Sequence, residues 1–309
     1  MMRIVLATDG SPQSTAAVHE VATSGFPADT QVRIVCAYER TPLITRLEPM
    51  GVMEESYAQA DHYALQAAKE ATEKAAEIVR AKNPTFTMTT VATGGSAKSV
   101  ILKEAKALGA DLIVIGSHGY GTIEGFLFGS VSHAVALHAT CSVEIVRGTG
   151  TVVGGRKILL ATDGSEASET VTDVVACQSY PIGTEVRVIS VAGAPYMPEW
   201  YVGEGVDMTI YLAIEKIERE TALETVEKAA LKIRRPELNV TTAVLSGSPK
   251  ALILDEAEAF GADLIVVGAH GYGAIERFLI GSISQAVALH AKCSVEIVRG
   301  SKTPSNESK

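Results

Sequence analysis

No apolar run in this 309-residue sequence approaches the roughly 20 residues a bilayer-spanning helix needs, and Met1-Met2-Arg3 leads into a short strand rather than a signal peptide. The chain is therefore expected in the cytoplasm, away from membranes. An excess of basic residues is missing too. The net charge is −9, which argues against nucleic acid as partner, because affinity there comes largely from Lys and Arg neutralising phosphates. The four cysteines, Cys36, Cys141, Cys177 and Cys293, form no C-x-x-C pair and lie in apolar segments, so they read as small buried hydrophobes rather than disulfides or metal ligands. No G-x-x-x-x-G-K-[ST] is present, which excludes a P-loop lysine, and no H-E-x-x-H or His/Cys cluster points to a protein-held metal. With 47% hydrophobic and 20% charged residues the composition is that of a soluble globular protein.

What is present is a repeat. The segment Arg3-Ile-Val-Leu-Ala-Thr-Asp-Gly-Ser11 returns as Lys157-Ile-Leu-Leu-Ala-Thr-Asp-Gly-Ser165. From Gly109 to Gly148, roughly four fifths of positions are identical to Gly261–Gly300. Two copies of one domain are expected, at 1–149 and 154–301, with a flexible seam near Gly148–Gly155 and a disordered polar tail at 302–309. The length agrees, at roughly 150 residues per domain.

Each copy alternates strand and helix. In the first, strands are expected at Arg3–Thr8, Gln31–Tyr38, Thr85–Ala92, Asp111–Ile115 and Ser142–Arg147. Helices are expected from the cap Ser11, with Pro12 at the first helical position, over about Glu54–Arg80, from Ser96 to Leu108, and over Val131–His138. The second copy repeats this, with strands at 157–162, 185–192 and 294–299 and a long helix over about Asp207–Arg234. Such alternation implies an α/β fold: two tandem open twisted parallel sheets of five strands, with helices on both faces, Rossmann-like.

The chemistry concentrates after the fourth strand. Gly116, Gly119, Gly121, Gly125 and Gly129 lie between that strand and the next helix, and Gly268, Gly271, Gly273 and Gly281 repeat the pattern. Glycines let backbone approach a ligand, and the free N–H groups of a helix's first turn favour an anion. A dinucleotide fingerprint would need its glycines after the first strand, so that reading is set aside. If strands two and three wind to one side of strand one and strand four returns on the other, the order is 3-2-1-4-5 and the Asp9 turn faces the glycine loop. Asp9 and Asp163 then either accept from the ribose hydroxyls or adenine edge of a mononucleotide, or cap their own turns through an Asx-type bond.

The spacings Gly116-x2-Gly119-x9-Gly129-Ser130 and Gly268-x2-Gly271-x9-Gly281-Ser282, beside an Ala-Thr-Asp turn after strand one, resemble the signature of the ATP-binding branch of the universal stress proteins. The resemblance covers nearly the whole chain as two tandem domains. It implies that Asp9 and Asp163 contact the adenosine part of a nucleotide, with Ala7, Thr8, Ala161 and Thr162 lining the same turn, and that Ala37 and Val191 meet adenine through their backbone. It assigns the ribose and phosphate cradle to Gly116, Gly119, Gly129, Ser130, Val131 and Ser132, and to Gly268, Gly271, Gly281, Ser282, Ile283 and Ser284. Gly95 and Gly247, after strand three, are subsidiary matches. The implied ligand is ATP, with ADP or AMP as alternatives, and Mg2+ arrives only through nucleotide phosphates.

The family's dimers imply pairing of the two halves through Ser142–Arg147 and Ser294–Arg299, with Glu144 and Glu296 meeting Arg147 and Arg299, and a homo-oligomer. One departure bears on the sites: a basic residue common in the family is absent at Gly125 and present as Arg277, which tightens the second site if that side chain reaches a phosphate.

Catalysis is not expected beyond weak ATP hydrolysis. His118 and His270 sit in the loops, but the sequence supplies neither with an orienting partner. The expected function is a stress-response or regulatory protein whose nucleotide state switches conformation or partners. A phosphotransferase or phosphatase using Asp9 and Asp163 as nucleophiles wants a second acid two residues on, where Ser11 and Ser165 stand. A pseudo-dimeric scaffold with empty sites is the third reading.

Overall fold

Short runs of Val, Ile and Leu, buried on both faces as parallel strands require, form the sheets in a computed structural model of the chain, which describes residues 1–39, 54–119, 129–150, 154–193, 208–271 and 280–300. The contrast between Gly125 and Arg277, Gly121 and Gly273, and the tail expected to be disordered at 302–309 lie outside the described residues. Contacts divide the chain into two units, Met1–Thr151 and Val152–Gly300.

In the first unit, strands β1 (Arg3–Ala7), β2 (Gln31–Tyr38), β3 (Thr87–Gly94), β4 (Leu112–Gly116) and β5 (Ser142–Val146) lie in the order β3-β2-β1-β4-β5, every pair parallel. Helices α1 (Pro12–Thr23), α2 (Glu54–Lys82), α3 (Ala97–Leu108) and α4 (Ser130–His138) connect them. The second unit repeats the plan with β6 (Lys157–Ala161), β7 (Thr184–Ala192), β8 (Leu238–Ser246), β9 (Leu264–Gly268) and β10 (Ser294–Val298) in the order β8-β7-β6-β9-β10. Its helices are α5 (Glu166–Cys177), α6 (Met208–Ile233), α7 (Pro249–Phe260) and α8 (Ser282–His290). The expected order 3-2-1-4-5 holds in each. It reverses at β1, where Val5 pairs with Arg33 on one side and Ile113 on the other.

Local chemistry sets the element ends. Ser11 caps α1, its Oγ accepting from Ser14 N at 3.2 Å, and Pro12 presets the first helical φ. Gly109, at φ 63°, closes α3 in the left-handed conformation that Cβ-bearing residues avoid. Strand β3 begins two residues later than Thr85, because Phe86 N donates to Asn83 O in a turn and buries its ring; the ladder starts at Thr87.

On one face of the first sheet, Ile4, Leu6, Ile34 and Val114 pack against Ala17 and Val21 of α1 and Val79 of α2. Burying each such aliphatic side chain contributes about 1.5–3 kcal/mol. Arg33 on β2 reaches Glu104 on α3 at 3.1 Å, and the second unit repeats this as Arg187–Glu256.

The cysteine expectation holds only in part. Cys36 is buried and its thiol is pushed up to about 11, by burial first and the nearby Asp9 charge second. Cys141 and Cys293 are half-buried, and Cys177 is exposed at the end of α5, where an apolar neighbourhood in sequence does not imply a covering layer. Among the described residues no helix is long and apolar enough to cross a membrane.

Candidate functional site

Parallel strands aim their carboxyl ends at one edge of a sheet, and where strand order reverses the two flanking connections leave in opposite directions, opening a crevice. In the first unit the crevice lies between the turn after β1 and the loop after β4. It forms a cavity of about 210 Å³.

All ten residues that the resemblance assigns to a first-unit ligand line it: Ala7, Thr8 and Asp9 from the β1 turn, Ala37 from β2, Gly116 and Gly119 from β4 and its loop, and Gly129 to Ser132 from the start of α4. Ser14, Ala97, Ile101, Ile115 and His118 line it as well. Ser14 had a sequence signal, since Asp9-Gly-Ser-x-x-Ser14 repeats as Asp163-Gly-Ser-x-x-Ser168. Ala97 and Ile101, one helical turn apart on α3, carry no motif. Gly95 and Gly247 have φ of +144° and +139°, backbone that favours glycine, and Gly95 N donates to Tyr38 O at 2.9 Å.

The turn-capping reading of Asp9 accounts for one of its oxygens and leaves the other directed at the loop. Oδ1 accepts from Ser11 N at 3.0 Å, an Asx turn that fixes the side chain. Oδ2 faces the loop so closely that a Cβ at Gly119 would overlap it. Behind it, Thr8 Oγ1 and Ser14 Oγ lie 3.1 Å apart and buried, tying the turn to α1. The second unit repeats this: Asp163 Oδ1 accepts from Ser165 N at 3.0 Å, and Thr162 Oγ1 bonds Ser168 Oγ at 3.1 Å. There too Oδ2 of Asp163 stands where a Cβ of Gly271 would go.

The cradle opposite is held by its own backbone. Gly129 N donates to Ser117 O at 2.8 Å, and Ser132 Oγ donates to Ser117 O at 2.9 Å, so the Ser132 hydroxyl fastens the loop to α4. In the second unit Gly281 N makes the matching bond to Ala269 O, and Ser284 Oγ donates one residue earlier, to Gly268 O. Helices α4 and α8 are N-capped by Gly129 and Gly281, neither of which supplies a side-chain cap. Their first-turn N–H groups are therefore donors for an anion, and the dipole adds to that preference. Among the described residues no His, Cys, Asp and Glu group could hold a metal ion.

The two units differ at the wall. Val191, Pro249 and Ile283 stand where Ala37, Ala97 and Val131 line the first cavity, each bulkier than its counterpart. Ser117, whose Oγ lies 3.0 Å from His118 Nδ1, is replaced by Ala269, and His270 Nε2 is buried without a hydrogen-bond partner among the described residues. Burial, and secondarily the Arg299 charge, hold the His270 imidazole below its ordinary range.

The native state binds this proton less readily than the unfolded chain, so the stabilisation is complete above pH about 6.5 and is lost as pH falls through that value towards the lower folded pKa. Urea midpoints of the wild type and of His270→Gln, followed from pH 7.5 to 5 as an order-of-magnitude window, are expected to diverge with the wild type losing more; parallel curves would contradict this.

The model of the universal stress protein family matches residues 1–147 and again 155–299. A universal stress protein of Mycobacterium tuberculosis is 29% identical over 196 residues, 62% of this chain, so that the chain covers 63% of that relative's length. One from Mycolicibacterium smegmatis is 26% identical over 303 residues, 96% of each chain. A solved universal stress protein from Archaeoglobus fulgidus, 19% identical, shares the fold with a TM-score of 0.60 over 96% of both chains. With the family model matched once in each half, the chain belongs to the universal stress protein family.

Proposed function

We propose that the first-unit cavity is an adenine-nucleotide site and that the protein is a stress-response or regulatory switch read through the nucleotide it holds. The observation that carries this reading is the convergence of four separate chain segments, matched to the family's nucleotide contacts, on one cavity at the switch point of the sheet. Asp9 Oδ2 is the acceptor for ribose hydroxyls, Ala37 borders the base, and the uncapped start of α4 receives phosphate. Mg2+ enters with the phosphates. Hydrolysis is slow or absent, since His118 is engaged with Ser117 and no carboxylate stands two residues after Asp9, where Ser11 instead caps α1.

The bulkier Val191, Pro249 and Ile283 make the second unit the weaker site. Denaturing the purified protein and analysing the supernatant is expected to release ATP, ADP or AMP, and calorimetric titration with Mg-ATP is expected to saturate nearer one nucleotide per chain than two. No released nucleotide and no titratable binding would overturn the reading. Saturation at two equal sites would overturn the ranking of the units.

A further inference from the structure

The seam between α5 and α6 is built differently from its counterpart between α1 and α2. The repeat spacing that matches Ser11 with Ser165 and Ala75 with Ala229 also matches Thr15, Val18, Ala67, Ala71 and Ile78 with Glu169, Thr172, Thr221, Thr225 and Lys232. Every one of these five changes adds a hydroxyl or a charge. In the first unit Val18 belongs to the core and Ile78 packs against it. In the second unit a cavity of about 170 Å³ opens at the seam, floored by Thr162, Thr172 and Ala229 and rimmed by Glu169, Glu224, Lys228 and Lys232. Thr172 is buried, Glu169 and Thr225 are half-buried, and Thr221 and Lys232 are exposed at the rim, so the polar groups converge on a hollow that is open to solvent, as a small-molecule site must be.

Their hydrogen bonding says which use. Thr172 Oγ1 donates to Ser168 O at 3.0 Å and Thr225 Oγ1 donates to Thr221 O at 2.8 Å, so both hydroxyl protons are spent on the helices' own carbonyls. The oxygens can then only accept. At the rim, the Lys228 ammonium is paired with Glu169 and Lys232 with Asp173. Each pair favours its charged form: Lys228 lowers the pKa of Glu169, and Asp173 raises that of Lys232. Glu224 has no hydrogen-bond or ion-pair partner among the described residues. Glu169, Glu224, Lys228 and Lys232 line the hollow; Glu169 answers Lys228, and Asp173, outside the lining, answers Lys232, which leaves the Glu224 carboxylate as the charge over beside the accepting threonine oxygens.

We propose that this seam is a second small-molecule site, distinct from the nucleotide crevice, that takes a small organic ammonium ion. Its N–H groups donate to the threonine oxygens and its charge answers Glu224. An anion would meet lone pairs and a surplus carboxylate; a neutral polyol would leave that carboxylate unanswered.

The test is a titration of the full-length isotope-labelled chain, followed by amide NMR, with 1,3-diaminopropane, malonate and glycerol at matched ionic strength. The diamine is expected to give saturable shifts at Thr172 and Thr225 that neither other compound produces. Glu224→Gln, an exposed position, is expected to weaken diamine binding about two- to fivefold, the range of a solvent-exposed ion pair. Glu70→Gln, the matching position of the first unit, is expected to leave it unchanged. The proposal is overturned by no saturation up to about 10 mM, where affinity falls below a useful few kcal/mol. Equal binding of malonate or glycerol, or an equal loss from Glu70→Gln, would also overturn it, the last by showing attraction to the chain's net charge of −9 alone.

Discussion

Gly119→Ala is expected to weaken nucleotide binding by about tenfold to a hundredfold, roughly 1.4–2.7 kcal/mol, while the unit stays folded. The added Cβ would occupy the space of Asp9 Oδ2. That carboxylate cannot swing aside freely, because Oδ1 holds Ser11 N at 3.0 Å, and a hydrogen bond to a charged group is worth about 1.5–3 kcal/mol. Either the loop backs away from the β1 turn or Asp9 gives up its turn; both dismantle the wall where ribose is proposed to sit. Core strands are untouched, since Gly119 lies beyond the end of β4. Calorimetric titration with Mg-ATP reads the affinity and circular dichroism reads the fold. Gly271→Ala makes the same clash with Asp163 and serves as the internal comparison. If only Gly119→Ala reduces binding, the first unit holds the nucleotide; if neither does, the aspartates take no part and the nucleotide assignment of this crevice fails.

Much of this arrangement could be read from the chain because its signals are local and occur twice. The apolar runs Ile4–Leu6 and Leu112–Ile115 are too short for helices and too continuous for a half-exposed sheet, so they declare buried parallel strands. Ser11-Pro12 and Gly109 mark helix ends by cap chemistry that acts within a few residues. The glycine spacing after β4 is legible for the same reason.

What stayed hidden depends on distant partners. Ala97 and Ile101 reach the cavity only because α3 packs over β1 and β2. The exposure of Cys177 depends on what covers the last turn of α5, which its apolar neighbours in sequence do not record. That Asp9 Oδ1 holds Ser11 N while Oδ2 lies against Gly119 is a matter of ångströms, and sequence offered only a choice between capping and binding. The polar seam of the second unit lies in plain sequence, but five separate substitutions on two helices acquire meaning only when the fold brings them to one hollow.

Gly116 is the clearest case of a residue whose sequence grouping and physical role diverge, and its replacement by alanine is expected to cost the first unit about 1–3 kcal/mol. It belongs to the glycine signature and borders the cavity, yet its α-carbon also faces the start of α1. A Cβ there would lie 2.6 Å from Gln13 O, 2.7 Å from Gln13 C and 2.9 Å from Ser14 N, all backbone. Backbone cannot rotate away as a side chain can, and this turn is pinned by the Ser11 cap and by Pro12. Helix and strand must therefore separate by several tenths of an ångström, loosening Val114 from Ala17 and Val21. Alanine also narrows the unfolded ensemble, which returns about 0.4–1 kcal/mol and leaves a net loss. At the matching Gly268 the nearest atoms are His270 O at 3.1 Å and Val171 Cγ2 at 3.4 Å, a loop carbonyl and a side chain that can give way. Gly268→Ala is thus expected to cost less. Because the chain has two units, hydrogen exchange resolved by residue is the measurement of choice: Gly116→Ala should lower protection across Ile113–Ile115 while Ile265–Val267 stays as in the wild type. Equal losses from the two substitutions would mean that close packing of α1 on β4 does not set the requirement for glycine, and that the loop's own conformation does.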